Sequence, residues 1–474
     1  MTGRKDRVAL RALRLAALYL AMVSAFVIAM TAVYALPQGR IMAHVRESLP
    51  LLKAEGRYPR PVLDKRQRAY MLDNYTDALM LDAAIVSTDR GPLYAAMGCF
   101  KGASTADDPI AALVQTAAGR RQNVSPYAYY WHGYQLLLRP SLLLMTYGDI
   151  RYLNILLLSA LAFWVATALR DRGGRLLAGT FLFSLVLAGF YLAPLSMQFS
   201  GIVYLTLLGT LAVLALDRRD ALRQWGVELF LVVGMLTSFV DLLTAPLLTL
   251  GMPLAVALVL LGREERASRA WRSLLLAAGL SLSWAFGYAA SWVTKWLAAS
   301  AVLHSNIVRM AGSELLFRVG ARDERSRVAE ALMANFLKLF PMVRGETLLK
   351  SGVVHDWLAS PYVLLLPLAI AVALWLLAFN RKPSEEIARA LPVLWVAPLP
   401  YLWIAAASNH SAHHAWFTYR IQAVTVFAVS YALLASVDFE RVRSRLRLRP
   451  RGPGAAADER SEPAEEGAAS GRLG

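Results

Sequence analysis

Apolar stretches long enough to cross a bilayer recur along this chain, and that leaves few folds open to it. About 20 apolar residues span a hydrocarbon core as a helix, and inside lipid every backbone amide must be satisfied within the segment. Ten such stretches fall at roughly 15–36, 150–169, 176–194, 199–216, 225–241, 243–261, 273–295, 361–379, 390–407 and 420–437. The expected fold class is an all-α polytopic membrane protein with about ten transmembrane helices and two long external loops. Only 18% of the 474 residues are charged and 57% are hydrophobic, where soluble domains carry about 25% charged. The stretch "TSFVDLLTAPLLTLGMP" (237–253) reads as a hairpin, a re-entrant turn or a broken helix.

Lys and Arg gather on the cytoplasmic side of short loops. Arg4, Lys5, Arg7, Arg11 and Arg14 precede the first span, and further groups sit at Arg170, Arg172 and Arg175, at Arg218, Arg219 and Arg223, at Arg263 to Arg272, and at Arg381 and Lys382. With ten spans all of them share one side, and both termini are cytoplasmic. The expected layout is a basic N-terminus (1–14), a first span (15–36), an external loop (37–149), a bundle of about six helices (150–295), a second external loop (296–360), and three C-terminal helices (361–437). The last of these enclose a His-rich external loop, "ASNHSAHHAWFTYR" (407–420), and a tail (438–474) is basic, then disordered from about 452. The first apolar run is too long for a cleavable signal, and Leu36-Pro37 follows it.

The net charge of +17 does not point to nucleic acid, because the Arg residues lie between apolar runs and not on one face of a soluble domain. A single cysteine, Cys99, excludes an internal disulfide and a cysteine-based metal site. Walker A, GxGxxG, GxSxG and HExxH patterns are absent.

The first external loop opens with Ile41, Met42, Val45, Leu49 and Leu52 at helical spacing. This describes an amphipathic helix, lying either on the membrane surface or against the rest of the loop. Next comes "AYMLDNYTDALMLDAAI" (69–85), where Asp73 and Asp77 share a helix face and Asp82 falls half a turn away. Like charges at that spacing weaken a helix, so a compensating reason is expected. Either a carboxylate at the mouth of a membrane cavity serves as general base, or Asp73 caps a helix and Asp77 pairs with an Arg.

Further candidates lie near the outer ends of the spans. Trp131, His132, Tyr134 and Arg139 fall in "YAYYWHGYQLLLRP" (127–140), where either the Tyr and Trp form an aromatic belt or His132 and Arg139 beside it touch an anionic headgroup. Arg151 and Asp241 are ionisable groups at span ends, where a charge must pair, snorkel or line a cavity. Lys295 adjoins Trp284, Trp292 and Trp296 on one face, and snorkelling competes with phosphate binding. His410, His413 and His414, with Arg420, form either a metal site, which wants more ligands, or a polar cluster for an anionic group.

The single span, the long external loop carrying a surface helix and acids, and the many-helix bundle together resemble the family C (GT-C) membrane glycosyltransferases. The resemblance covers the architecture of residues 1–437. It implies a polyprenyl-phosphate-linked sugar donor, a first-loop Asp as general base, inversion at the anomeric carbon, and a glycan, lipid or protein acceptor in the cell envelope at the plasma (inner) membrane. On this chain the base is then Asp73 or Asp77. The donor phosphate falls to Arg420, His410, Lys295, His414 and Arg151, and other substrate contacts to Trp131, His132, Tyr134 and Asp241. The acids stand farther from the first span than is usual in that family, and no WWDYG-like segment occurs. No cofactor is required, and a divalent metal (Mg or Mn) stays open. A transporter or lipid flippase also needs many spans and intramembrane charges; a surface-polysaccharide polymerase or ligase shares lipid-linked substrates.

Overall fold

The computed structural model describes residues 2–60, 71–86, 88–102, 108–120, 124–262, 270–321, 327–339, 365–379 and 381–445. Most of the second external loop beyond 339 and the tail from 452 lie outside the described residues, as do Arg263, Arg266 and Arg269.

The chain is helical almost throughout. It opens with α1 (Thr2–Tyr34), α2 (Gln38–Glu55), α3 (Asn74–Ile85), α4 (Pro92–Gly98), α5 (Pro109–Ala117) and α6 (Gln135–Leu142). Then come α7 (Tyr147–Leu187), α8 (Met197–Asp217), α9 (Leu222–Val240), α10 (Leu247–Gly262), α11 (Ala270–Leu303), α12 (Ile307–Arg318) and α13 (Val328–Lys338). The last are α14 (Leu365–Phe379), α15 (Ser384–Ala390), α16 (Leu399–Ala406), α17 (Ser408–His413), α18 (Ala415–Thr418), α19 (Ala423–Ala435) and α20 (Phe439–Arg445). Two short strands, Lys101–Gly102 and Val124–Ser125, pair antiparallel within the first loop.

Among the described residues six helical segments are long and apolar enough to cross a membrane: Val8–Tyr34, Tyr147–Leu187, Met197–Asp217, Trp271–Leu303, Ser384–Ala406 and Ala415–Ala435. That supports an all-α membrane protein with fewer clear spans than the ten expected. Part of the difference is α7, whose 41 residues cover two expected spans. A continuous helix of that length would be about 60 Å long, twice a hydrocarbon core of about 30 Å. It is interrupted at Gly174 (φ 86, ψ 169), a conformation essentially confined to glycine, in the basic segment between those spans. Another part is α10, only 16 residues long and buried along its whole length. A helix apolar all round belongs inside other helices.

The uncertain stretch resolves as two helices joined by a non-helical segment, 241–246, between α9 and α10. Within it Leu243 takes φ +64, unusual for a branched side chain. Two glycines seat α9 against α11: a Cβ on Gly234 would lie 2.1 Å from the Trp284 carbonyl oxygen, and one on Gly287 2.4 Å from that of Leu231. Small residues permit this approach where helix association rests on van der Waals packing.

Among the described residues three large apolar clusters and one small one pack the helices together. One lies among α7, α8, α10 and α19. A second joins α2, α3, α5 and α6 to Met197, Leu242 and Leu243, fastening the first external loop to the bundle. The third packs α1, α4 and Trp131 against α9 and α11. In α2 the buried residues are Ile41, Val45, Ser48 and Leu52. That stripe is filled by the loop and α7.

Candidate functional site

Asp73 and Asp77, neighbours on one helix, have different surroundings. Asp77 is fully buried and sits at the N-terminus of α8. Its Oδ2 accepts from the Tyr147 hydroxyl (2.5 Å) and the Met197 amide (3.0 Å), and its Oδ1 from the Ser196 hydroxyl (3.2 Å) and the Gln198 amide (3.0 Å). Four donors match the four lone-pair sites of a carboxylate, at a helix end whose amides attract anions. Burial pushes the Asp77 pKa up, and these donors and the Arg151 charge pull it back, the Tyr147 hydroxyl most. Arg151 stands behind Tyr147, donating to its hydroxyl (2.8 Å), to Asn74 Oδ1 (2.7 Å) and to Glu55 (2.8 Å). Arg151 is thus committed to an internal ion pair with α2.

Asp73 caps α3, accepting from the Thr76 amide on Oδ1 (3.0 Å) and the Thr76 hydroxyl on Oδ2 (2.7 Å). The capping geometry foreseen for it is therefore present, and each oxygen keeps further acceptor capacity. Asp73 is 2% exposed. Burial pushes its pKa up to about 7, against the Thr76 hydrogen bonds; Asp77 raises it further and the Arg420 charge lowers it. A carboxyl poised near neutrality is what general base chemistry uses.

Arg420, on the short turn Tyr419–Gln422, is buried, with its guanidinium over the rings of Phe199 (4.4 Å) and Tyr419 (5.1 Å) and donating to the Trp416 carbonyl (3.2 Å). Phe199 lies in the first turn of α8, the turn Asp77 caps. Asp77 therefore fixes the ring on which Arg420 rests. Tyr58 stacks on Tyr75 (6.1 Å) and meets Trp416 edge-on (5.7 Å), an aromatic wall beside this pair.

A second group forms around the 241–246 break. The His410 Nε2–H donates to the Leu243 carbonyl (2.9 Å), and its Nδ1 accepts from Arg318 (3.2 Å). With one nitrogen accepting from an arginine the ring is neutral, and burial and the Arg318 charge hold its pKa well below the usual range. His414 stacks on Phe417 (5.1 Å) and lies 4.8 Å from His410; burial lowers its pKa to about 4. The positive charge here comes from Arg318, which also faces the Tyr130 ring at 5.8 Å. Tyr130, Trp292, Tyr288 and Trp403 follow in edge or tilted contacts of 5.2 to 6.4 Å. Among the described residues the Tyr288 hydroxyl and Trp292 Nε1 are buried without a hydrogen-bond partner. Asp241 accepts from the Thr244 amide on Oδ1 (3.0 Å). Its Oδ2 meets no donor in hydrogen-bonding geometry, although the Thr244 hydroxyl and nearby amides act on its charge. Asp241 lies within electrostatic reach of Tyr130 and Tyr288. Buried polar atoms without partners are few in folded proteins and call for a reason.

The remaining candidates fall elsewhere. Lys295 is fully buried, donating to the Met97 carbonyl (2.8 Å) with Trp131 at 5.5 Å. Trp131 donates to the Ser291 carbonyl (2.9 Å) and packs on Phe26 and Phe239. His132, at φ +59, donates through Nε2 to the Tyr127 carbonyl (2.6 Å) and accepts from the Tyr134 hydroxyl (3.0 Å); burial holds its pKa at about 3. Arg139 is spent on the Val33 and Ala84 carbonyls, and Asp82 accepts from the Gly102 amide (2.6 Å). These groups bind the loop to α1, α4 and α11. Thus Asp73 lies within electrostatic reach of Arg420, and Asp77 of Arg151, while His410 and His414 gather at the break that begins at Asp241. Lys295, Trp131, His132 and Tyr134 form a separate internal network.

Arg318, Tyr147, Tyr288 and Trp403 were not singled out from sequence. Glu314 four residues before Arg318 was a weak signal, and the two form an ion pair at 3.7 Å. Among the described residues no three His, Cys, Asp or Glu side chains converge as a metal would need. No family model matches the chain, and no curated protein or solved structure matches it.

Proposed function

We propose that this protein is an integral membrane glycosyltransferase that moves a sugar from a polyprenyl-phosphate donor to an extracytoplasmic acceptor at the plasma membrane, with Asp73 as the general base. The observation that carries the reading is Asp73, a buried carboxyl with acceptor capacity to spare at the start of α3, within electrostatic reach of the buried Arg420. Apolar helices suit a donor whose chain stays in lipid. A hydroxyl, an indole N–H and a carboxylate oxygen without partners among the described residues, beside aromatics in edge and tilted contact, suit a hydroxyl-rich ring.

In this mechanism Asp73 takes the proton of the acceptor hydroxyl as its oxygen attacks the anomeric carbon. The bond from that carbon to the phosphate oxygen breaks, the configuration inverts, and the polyprenyl phosphate leaves with an added negative charge. Arg420 stabilises that charge in a site of low polarity, where such stabilisation is large. Asp77, with all four lone-pair sites used, positions α8 and Phe199 and takes no proton. His410 and His414, neutral, supply shape and hydrogen bonds, and Arg318 supplies charge on the far side. No step requires a metal.

A second reading, a transporter or lipid flippase, is favoured by the helix break beginning at Asp241, since broken helices line transport sites. Transfer of labelled sugar from the polyprenyl-phosphate pool separates the two. The enzyme reading requires that Asp73→Asn abolish transfer in a folded protein while Asp73→Glu keeps part of it; unchanged transfer in Asp73→Asn defeats it.

A further inference from the structure

At the end of the molecule that carries the N-terminus, far along the chain from Asp73, α1, α8 and α9 enclose a groove of about 680 Å³. Its mouth is basic. Arg14 reaches in from α1, its guanidinium 4.3 Å above the Trp225 ring and paired with Glu228, which Arg11 also meets at 3.5 Å. Arg219, just past the end of α8, is exposed and makes no ion pair or side-chain hydrogen bond among the described residues. Two guanidinium groups, Arg14 and Arg219, thus line the groove with one carboxylate, Glu228, which Arg11 also neutralises. The rest of the lining is apolar: Leu18, Leu229 and Val232 stand beside a floor formed by the small side chains of half-buried Ala212 and exposed Ala215.

A charged mouth and an apolar floor in one continuous groove match a single amphipathic anion. Trp225, 38% exposed at the mouth, is of the residue type that settles at headgroup level. Basic pockets between spanning helices bind anionic headgroups, each Lys or Arg near the surface contributing about 1 kcal/mol. A soluble anion would use the mouth and leave the apolar floor uncovered. We propose that this groove binds one anionic phospholipid of the adjacent leaflet, its phosphate between Arg219 and Arg14 and one acyl chain along Ala212 and Ala215. The lipid would also tie α1 to the bundle where the Arg–Glu pairs already join them. This inference is independent of the sugar-transfer reading.

The test is native mass spectrometry of the full chain in detergent with an equal mixture of phosphatidylglycerol and phosphatidylcholine of identical acyl chains. The wild type should retain one phosphatidylglycerol in preference to phosphatidylcholine. Arg219→Ala should cut that preference about fivefold, the loss of one surface cation. Ala215→Trp, which fills the floor and leaves every charge in place, should remove retention of both lipids. Equal retention of the two lipids by the wild type overturns the proposal, as does a preference unchanged in Arg219→Ala. Phosphatidylglycerol retained by Ala215→Trp as by the wild type would mean that the headgroup binds without the groove, and overturns it too. Monodispersity and melting temperature of each variant establish that it is folded.

Discussion

Asp77→Asn and Asp73→Asn differ from wild type by the same atoms, four residues apart, and should have opposite consequences. At position 77 the carboxylate accepts from two hydroxyls and two amides at the start of α8. An amide oxygen can accept one hydroxyl and one backbone amide; of the other two donors the hydroxyl can turn to accept from the NH2 group, and the backbone amide is left facing it. Losing that hydrogen bond to a charged group, at roughly 1.5–3 kcal/mol, and stranding its buried donor, at roughly 1–3 kcal/mol, gives a destabilisation of about 3–5 kcal/mol. At position 73 Asn caps a helix as well as Asp does; the Thr76 amide keeps an oxygen and the Thr76 hydroxyl can turn to accept. Any destabilisation there should stay below about 1 kcal/mol, while transfer falls by about 100-fold to 10,000-fold for loss of a general base. Reversible unfolding in mixed micelles, followed by tryptophan fluorescence, measures the first quantity, and a transfer assay on the same preparations the second. Equal destabilisation by the two variants, or less than about 1 kcal/mol for Asp77→Asn, would refute the division of labour between them.

Further outcomes follow from the same geometry. The Asp73 pKa is about 7 in the folded protein and about 3.9 unfolded. The folded state therefore holds more protons between those values, and the Asp73 contribution to stability is full below pH 4 and lost as pH rises through 7. Asp73→Asn should thus gain stability relative to wild type at pH 8 and not at pH 4, read from paired unfolding curves, and wild-type transfer should rise with an apparent pKa near 7. Arg420→Ala leaves Asp73 without the guanidinium that lowers its pKa, so the activity midpoint, read from a pH–rate profile, should move upward with a loss of rate of at least about 100-fold. Tyr288→Phe removes a buried hydroxyl that has no partner among the described residues, so unfolding should show a stability unchanged or slightly raised while KM for the sugar substrate rises several-fold. Gly234→Ala drives a Cβ to 2.1 Å from the Trp284 carbonyl and should destabilise the α9–α11 contact by about 1–3 kcal/mol, seen as a lower melting temperature with monodispersity retained.

The apolar runs made the helical membrane class legible, because lipid leaves the backbone few alternatives. Their division into separate spans was less legible. The basic segment around Gly174 marked the division inside α7 but not that its two halves would stay joined without a loop, and α10 is enclosed by protein, so its length need not match a bilayer. The amphipathic stripe of α2 was plain from spacing, but spacing cannot tell whether lipid or protein covers it. Asp73 and Asp77 stood out as charges in an apolar frame. What distinguishes them did not, because two of the donors to Asp77 are backbone amides some 120 positions away. Arg318 was hidden for a related reason: its partner is His410, and His410 is held by the carbonyl of Leu243, whose positive φ has no signature in a leucine. Lys295 and Trp131 were visible as polar or aromatic groups near a span end, a pattern that serves internal packing as readily as substrate binding.

The most direct test of lipid-linked sugar transfer based on Asp73 and Arg420 is native mass spectrometry of gently solubilised Asp73→Asn beside Arg420→Ala. The account predicts that Asp73→Asn, able to bind its donor and unable to use it, carries a glycosylated polyprenyl phosphate whose mass gives the sugar class, and that Arg420→Ala carries none. Ordinary phospholipids retained on Asp73→Asn with no polyprenyl phosphate in either form would contradict it.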